Sequence, residues 1–341
     1  MEKPSKKNIK PENRKIALAG DGSWGTALVK SLRSNNRDVK WWVRNQGTID
    51  FIEKYNRNPD YLRQTEINLE PERISTNLSS IIRDSEIALF VIPSLFFRKS
   101  LASLTPSDFE GKIVISAIKG IIPKNDMLIS DYFFEHFKVP KDKFVFLTGP
   151  SHSEEVANKR MTFITLASKS EELASEMAEI FDNDFLKIRT SQDVEGLEYA
   201  AILKNIYAIA TGICHSMGYG DNYLAVFVSY AVQEMEHFLD KVCPFDRDIK
   251  TSGYLGDLMV TSFSQFSRNR TFGGMIGRGY STKSALFEMN MIPEGYFTVR
   301  SFYRILKKHD VDMKIVKTVY KILYQKLSPA EEFRKLEKFF I

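Results

Sequence analysis

The sequence predicts an α/β protein, a doubly wound parallel sheet followed by an all-helical C-terminal domain. Short β-rich runs alternate with longer helical patterns from Lys15 to about Arg189, the order that a parallel sheet with helices on both faces produces. Beyond Thr190 the alternation stops and apolar residues recur at helical spacing only. At 341 residues the chain also exceeds what one hydrophobic core ordinarily serves. The expected division is a basic, disordered tail over residues 1–14, a sheet-bearing domain over 15–190 and a helical domain over 191–341.

The expected strands are Lys15 to Gly20, Asp38 to Arg44, Arg73 to Thr76, Glu86 to Ile92, Lys112 to Ala117, Lys143 to Thr148, Thr162 to Ala167 and Phe185 to Ile188. Helical periodicity in the second half covers Glu195 to Met217, Ala225 to Val242, Gly253 to Phe263, Glu294 to His309 and Asp312 to Lys326. Gly218 to Asn222 and Gly273 to Tyr280 read as glycine-rich loops, a kind that often lines a cleft. At the C-terminus, Pro329 to Phe340 carries Phe333, Leu336 and Phe340 at spacings of three and four, so this helical stretch packs on the body or on a partner.

Composition narrows the function classes. A hydrophobic fraction of 43% and a charged fraction of 27% describe an ordinary globular protein rather than a disordered or fibrous one. The net charge of +5 is concentrated at the start, where Lys3, Lys6, Lys7, Lys10 and Arg14 face only Glu2 and Glu12. That segment lacks the apolar core of a signal peptide and has no interleaved aromatics, so it argues for neither secretion nor nucleic-acid binding. No run approaches the roughly 20 apolar residues of a membrane span. Cys214 and Cys243 sit in helical patterns without a metal-type neighbour, which fits a reduced cytoplasmic setting and no metal.

The first strand runs into Gly20-Asp21-Gly22-Ser23-Trp24-Gly25 and then into a helical run, the strand-turn-helix context in which a glycine motif binds a dinucleotide. Gly20 permits the tight turn, Gly22 lets the backbone approach a pyrophosphate, Gly25 allows close helix-to-strand packing, and the N-terminus of the helical run Thr26 to Leu32, which follows Ser23 and Trp24, offers N–H groups to phosphate. The first domain therefore reads as Rossmann-like. NAD-specific sites place an acid about 20 positions beyond the glycines. Here that neighbourhood offers Arg44, which leans the reading towards NADP(H) over NAD(H) because arginine pairs with a 2′-phosphate. Arg44 would equally serve as a solvated strand-end charge or stack on an adenine. Asp21 has no evident role beside phosphate unless it caps the turn.

Four later segments complete a pattern: Ser116-Ala117-Ile118-Lys119-Gly120-Ile121, Gly149-Pro150-Ser151, Leu203-Lys204-Asn205, and Gly256-Asp257-Leu258 leading to Ser267-Arg268-Asn269-Arg270. With the glycine loop they resemble, in order and spacing, the bacterial-type NAD(P)-dependent glycerol-3-phosphate dehydrogenases, from about Arg14 to Lys326. The resemblance implies reversible reduction of dihydroxyacetone phosphate to sn-glycerol 3-phosphate, a cytoplasmic homodimer, and supply of the backbone of membrane phospholipids. It also implies that Lys204 is the proton-transferring residue and that Lys119 contacts cofactor and substrate. Gly149, Ser151, Asp257, Ser267, Arg268 and Asn269 would meet the substrate, and Ser153, Arg268, Ile292 and Glu294 the cofactor.

Elementary chemistry agrees where it speaks. The helix carrying Lys204 is apolar nearly all round, so the lysine is partly desolvated, and desolvation lowers its pKa towards the working range. Thr211 and His215 fall near the same helical face, which is expected to look into the cleft. Lys119 follows a strand at its carboxyl end, the edge where open α/β sheets place ligands. Arg268 can grip phosphate bidentately. Against the family pattern, Asp21 replaces a small residue, Ile118 a threonine, and His152-Ser153 an aromatic followed by alanine. A hydroxyacid dehydrogenase that also uses a helix lysine and a non-catalytic dinucleotide sensor are the competing readings.

Overall fold

The computed structural model describes residues 10–340, apart from 124 and 290. Eight strands form one sheet: β1 (Ile16–Ala19), β2 (Val39–Trp42), β3 (Ile74–Ser75), β4 (Ile87–Phe90), β5 (Ile113–Ser116), β6 (Phe144–Thr148), β7 (Thr162–Ala167) and β8 (Leu186–Ser191). Their order is β3-β2-β1-β4-β5-β6-β7-β8. β1, β4, β5 and β6 are buried along their whole length, and their sequences are accordingly near-continuous apolar runs without alternation.

Helices α1 (Ser23–Ser34), α2 (Gln46–Tyr55), α3 (Leu78–Arg83), α4 (Ser94–Ser100), α5 (Ile129–Phe137), α6 (Ser153–Ala157) and α7 (Glu171–Phe181) connect the strands. α1, α2, α6 and α7 share a core with Leu18, Trp41, Leu89 and Leu147 on one face of the sheet. On the other face α3, α4 and α5 close over Phe90, Val114 and Phe146. That second core continues into the helical half: α8 (Val194–Ser216), α9 (Asp221–Val242), α10 (Asp257–Phe263), α11 (Arg268–Gly277), α12 (Thr282–Glu288), α13 (Glu294–His309), α14 (Lys314–Tyr324) and α15 (Pro329–Glu337). From Val194 to Cys214, α8 is buried nearly all round, which is why its sequence has no polar face.

Two expectations are corrected. The sheet is parallel only from β3 to β6; β7 runs antiparallel to β6, and β8 pairs parallel with β7. The link from β6 to β7 contains only the five-residue α6, which rises about 7.5 Å. It cannot return the chain along a strand, so β7 re-enters from the end where β6 left.

The second correction concerns Gly273 to Tyr280, most of which is not a loop but the body of α11. A Cβ on Gly273 would stand 2.0 Å from the Ile209 carbonyl oxygen, and one on Gly212 would stand 2.1 Å from the Arg270 carbonyl oxygen. The glycines let α11 press its backbone onto α8, and this contact outweighs their weak helix propensity. Gly273→Ala is expected to lower the unfolding free energy by about 1–3 kcal/mol in urea titration, the cost of overpacking a close-packed contact. An unchanged midpoint would contradict this account of α11. The other expected loop shrinks to a turn at Gly218 to Gly220, because Asp221 and Asn222 open α9.

Of the tail expected over residues 1–14, residues 1–9 lie outside the described residues. Pro11–Asn13 form a single 3-10 turn, and Arg14 pairs with Glu176 on α7.

Candidate active site

The strand order reverses at β1, between β2 and β4, and open α/β sheets leave a crevice at such a point beyond the strand carboxyl ends. The loop leaving β1 passes so close to that leaving β4 that a Cβ on Gly20, at φ +134°, would stand 2.4 Å from the Val91 carbonyl oxygen. A Cβ on Gly25 would meet the Gly20 carbonyl oxygen at 2.1 Å, whereas one on Gly22 would meet nothing within 4 Å. Gly20 and Gly25 therefore shape the turn, and Gly22 keeps its outer side open. The backbone N–H groups of Ser23, Trp24 and Gly25, at the start of α1, have no hydrogen-bond partner among the described residues. An open glycine beside unpaired N–H groups fits the pyrophosphate of a nicotinamide dinucleotide.

Beside this loop lies a cavity of about 510 Å³ lined by Trp42, Arg44, Tyr61, Phe96 and Lys99. Arg44 Nε donates to Asp21 Oδ1 at 2.8 Å and Oδ2 at 3.0 Å, and Arg44 N donates to Oδ2 at 3.2 Å. Asp21, without an evident role in the sequence, is thus the partner of Arg44. Asn58, 1% exposed, donates from Nδ2 to Asp21 O and Thr26 Oγ1, both at 2.9 Å, while its Oδ1 accepts from the amides of Asp60 and Tyr61.

The same crevice continues as a cleft of about 210 Å³ towards the helical half, lined by Lys119, Ser151, Lys204, Asp257, Arg268 and Asn269 among others. Asp257 opens α10 directly after a π-helical turn, Ser252–Gly256. Its Oδ2 accepts from Lys119 Nζ and Thr148 Oγ1, both at 3.2 Å, and from Gly149 N at 3.3 Å; its Oδ1 accepts from Lys204 Nζ. Burial pulls Lys204 below the ordinary lysine range, with Asp257 opposing and the Lys119 charge reinforcing the shift. Burial alone would raise the Asp257 carboxyl, but Lys119 and then Lys204 hold it below the usual carboxylate range. Two ammonium groups around one carboxylate leave a net positive charge facing the cleft, which suits an anionic ligand.

Across the cleft, α11 brings its first turn over the glycine loop, where Arg268 Nη2 donates to Ser23 Oγ at 2.7 Å. Asn269 Nδ2 donates to Asn205 Oδ1 and its Oδ1 accepts from Gly295 N, each at 2.9 Å. One amide hydrogen of Asn269 is left for a ligand. Glu294 Oε1 accepts from Ser94 N at 3.1 Å and Oε2 from Ser94 Oγ at 2.6 Å. Burial pushes this carboxyl up, against those two bonds and the Arg268 charge.

Sequence models of the NAD-dependent glycerol-3-phosphate dehydrogenase N-terminus and C-terminus match residues 15–174 and 193–334. The chain belongs to this family. A glycerol-3-phosphate dehydrogenase [NAD(P)+] of Staphylococcus carnosus is 32% identical over 94% of this chain and 97% of its own length. One from an Exiguobacterium species is 34% identical over 94% of each. The crystal structure of glycerol-3-phosphate dehydrogenase from Coxiella burnetii is similar with a TM-score of 0.89 at 26% identity, covering 96% of this chain and 99% of that one.

Within this dehydrogenase chain, Gly20, Gly22, Ser23 and Arg44 line the cavity at the glycine loop, and Trp24, Lys119, Ser151, Ser153, Lys204, Asp257, Ser267 and Asn269 line the cleft. Arg268, Ile292 and Glu294 border both. Of the expected substrate residues, Gly149 lines neither space, and both it and Ser267 make structural bonds. Ser267 Oγ caps α11 by accepting from Arg270 N. Gly149, at φ +116°, stands behind Lys119 and accepts from its Nζ at 3.3 Å. Thr211 and His215, expected on the cleft face of α8, do not reach it: Thr211 bonds to the carbonyls of Ala208 and Ser262, and His215 is exposed. Seven and eleven residues along a helix are about 10 and 16 Å, which carries them past the cleft.

Sequence reasoning passed over Asn205, whose Nδ2 donates to Lys119 O at 3.3 Å while its Oδ1 accepts from Asn269, joining β5, α8 and α11. Its place beside Lys204 was the available signal. It also passed over Ser94 and Gly120; a Cβ on Gly120 would lie 2.4 Å from Ser94 Oγ and 3.0 Å from Glu294 Oε2. Of the departures from the family pattern, Ile118 is buried at the cleft wall. His152 packs against Phe266 with ring centroids 5.7 Å apart. Burial, and after it the Lys204 charge, lower the His152 pKa, so its ring is a neutral packing group at neutrality.

Proposed function

We propose that the chain reduces dihydroxyacetone phosphate to sn-glycerol 3-phosphate, reversibly, with Lys204 as the proton donor to the C2 oxygen. The observation that carries this reading is the Lys119–Asp257–Lys204 cluster, with Asp257 and Lys204 buried and Lys119 partly so, at the floor of the cleft, opposite Arg268 and next to the glycine loop. A reduced nicotinamide dinucleotide, when bound, supplies the hydride that C2 receives.

Lys204 gives its proton to the oxygen as negative charge develops there, and its lowered pKa makes the proton easier to release. Lys119, paired with Asp257 at 3.2 Å, stabilises the developing alkoxide. Asp257 aims both ammonium groups and keeps either from being an unpaired buried charge. In the reverse direction neutral Lys204 takes the hydroxyl proton. Ser151 and the free amide hydrogen of Asn269 contact substrate oxygens, and Arg268 grips the phosphate while its bond to Ser23 ties that grip to the cofactor loop.

Arg268→Ala is therefore expected to raise KM for dihydroxyacetone phosphate about 10- to 100-fold, the range for losing hydrogen bonds to a charged group. Steady-state titration of the ketone at saturating cofactor reads it, and an unchanged KM would remove Arg268 from the phosphate site.

Trp24 stands beside the glycine loop, and Ile292 and Glu294 close the cofactor side of the cleft. Arg44 supports a preference for NADP(H), because its terminal amino groups make no hydrogen bond among the described residues and its side chain lines the cavity beside the loop. The enzyme is read as a cytoplasmic homodimer that supplies glycerophospholipid synthesis; among the described residues no helix is long and apolar enough to cross a membrane. The deciding experiment follows loss of reduced-nicotinamide absorbance with dihydroxyacetone phosphate or a 2-keto acid, using NADH and NADPH in parallel. Turnover of the phosphorylated ketone alone supports the proposal. Turnover of the keto acid alone, or tight dinucleotide binding without turnover, overturns it in favour of a hydroxyacid dehydrogenase or a sensor.

A further inference from the structure

We propose that Asp21 is a positioning residue for cofactor discrimination, holding Arg44 so that its two terminal amino groups face the 2′-phosphate of NADP(H). The proposal rests on the reading that Arg44 meets that phosphate. The Asp21 side chain is only 7% exposed, and both of its oxygens are engaged with Arg44, so it has no face left for the ribose. This acid sits inside the glycine loop, not about 20 residues beyond it where a ribose-reading acid stands. Its chemistry is directed at the arginine instead.

Both ends of the tether are fixed. The Asp21 carbonyl is held by Asn58, itself 1% exposed, and the Arg44 amide donates to the same carboxylate that takes its Nε–H. Between those anchors, the guanidinium loses rotation about its long side chain before any ligand arrives. An arginine presents five N–H donors in one plane. With the Nε–H taken by Asp21, the terminal nitrogens, with the Tyr61 hydroxyl beside the guanidinium, are the donors that can meet a phosphate bidentately. The carboxylate also carries a negative charge towards the same phosphate, which works against binding. That repulsion acts across a half-exposed side chain, where water and salt screen it, and Arg44 neutralises it directly at 2.8 Å. Ordering of the arginine is the larger effect.

The test uses calorimetric binding of 2′,5′-ADP and 5′-AMP to the full chain, wild type, Asp21→Ala, Arg44→Ala and the double variant, so no turnover is needed. Asp21→Ala is expected to weaken 2′,5′-ADP about five- to tenfold, the scale of one long side chain left to be ordered on binding. Binding of 5′-AMP, within about twofold of wild type, reports that the loop is intact, as ordinary mutational scatter is of that size. In the Arg44→Ala background, removing Asp21 should cause no loss. Asp21→Asn keeps an acceptor beside Nε and should retain most of the preference. Wild-type or tighter 2′,5′-ADP binding by Asp21→Ala overturns the proposal, as does an equal loss in Asp21→Asn or in the Arg44→Ala background. If Arg44→Ala alone leaves the preference intact, the reading of Arg44 itself fails and the proposal falls with it. If Arg44→Ala abolishes the preference while Asp21→Ala keeps it, only the tether fails.

Discussion

Replacing Lys204 with methionine lowers kcat for ketone reduction by about 10²- to 10⁴-fold, the contribution of a positioned general acid. Methionine nearly matches the length of the lysine stem and removes one of the two cations around Asp257, leaving the Lys119–Asp257 pair with no net charge. The variant should therefore fold and keep its affinity for the reduced dinucleotide, whose proposed site is the separate glycine loop. Fluorescence titration of the dinucleotide and the steady-state rate, measured on one preparation, separate the two effects. Loss of binding in step with loss of rate would mean that Lys204 supports the cofactor site rather than the proton transfer.

Removing the carboxylate strikes stability instead. Asp257→Ala leaves Lys119 and Lys204 facing each other in a buried site, and breaking a buried ion pair from one side costs about 3–5 kcal/mol. The pH dependence has a definite sign. The folded pKa of Lys204 already lies below its ordinary value of 10.5, and losing Asp257 removes its strongest support for the charged form. A lysine whose folded pKa is lowered carries its full cost below the folded value, a shrinking cost as pH rises through the window above it, and none above 10.5. Between the wild-type folded value of about 7 and 10.5 the two proteins carry the same Lys204 cost, and below about 7 the variant's cost goes on growing after the wild type's has levelled off, so the deficit against wild type should be larger at pH 5 than at pH 9 in urea unfolding. On the acid side, Asp257 is held below its ordinary 3.8, so its contribution to the wild type is present above that value and disappears as pH falls through the folded one. A deficit no larger at pH 5 than at pH 9 would contradict this electrostatic account.

Much of this fold is legible in the chain because burial on both faces leaves a plain trace. β1, β4, β5 and β6 are apolar from end to end, and α8 is apolar all round. Direction leaves no such trace: the residues of β7 suit a parallel or an antiparallel neighbour equally, and only the short link through α6 decides. α11 is hidden for a different reason. Its glycines signal a loop locally, and they turn helical only because α8 lies close enough to need them.

The site divides in the same way. Lys204 is conspicuous as a lysine in an apolar helix, and Lys119 as a charge at a strand end. The pairing of Glu294 with Ser94, 200 residues apart, and of Asp21 with Arg44, 23 apart, depends on how the chain folds back, and no local pattern announces either. Asn205 carried a signal but stands next to a more obvious neighbour. Gly149 and Ser267 carry bonds to Lys119 and to the cap of α11 that a ligand-contact reading of their motifs does not reveal.

The most direct test of Lys204 as the group that exchanges the substrate proton is the pH dependence of kcat/KM in both reaction directions, between about pH 6.5 and 10, above the second ionisation of the substrate phosphate near 6. Reduction needs Lys204 protonated and oxidation needs it neutral. The expected result is a reduction rate that falls and an oxidation rate that rises as pH increases through one shared pKa well below 10.5, with both limbs lost in Lys204→Met. Limbs of the same sign in the two directions, or limbs that survive in Lys204→Met, would contradict the role assigned to Lys204.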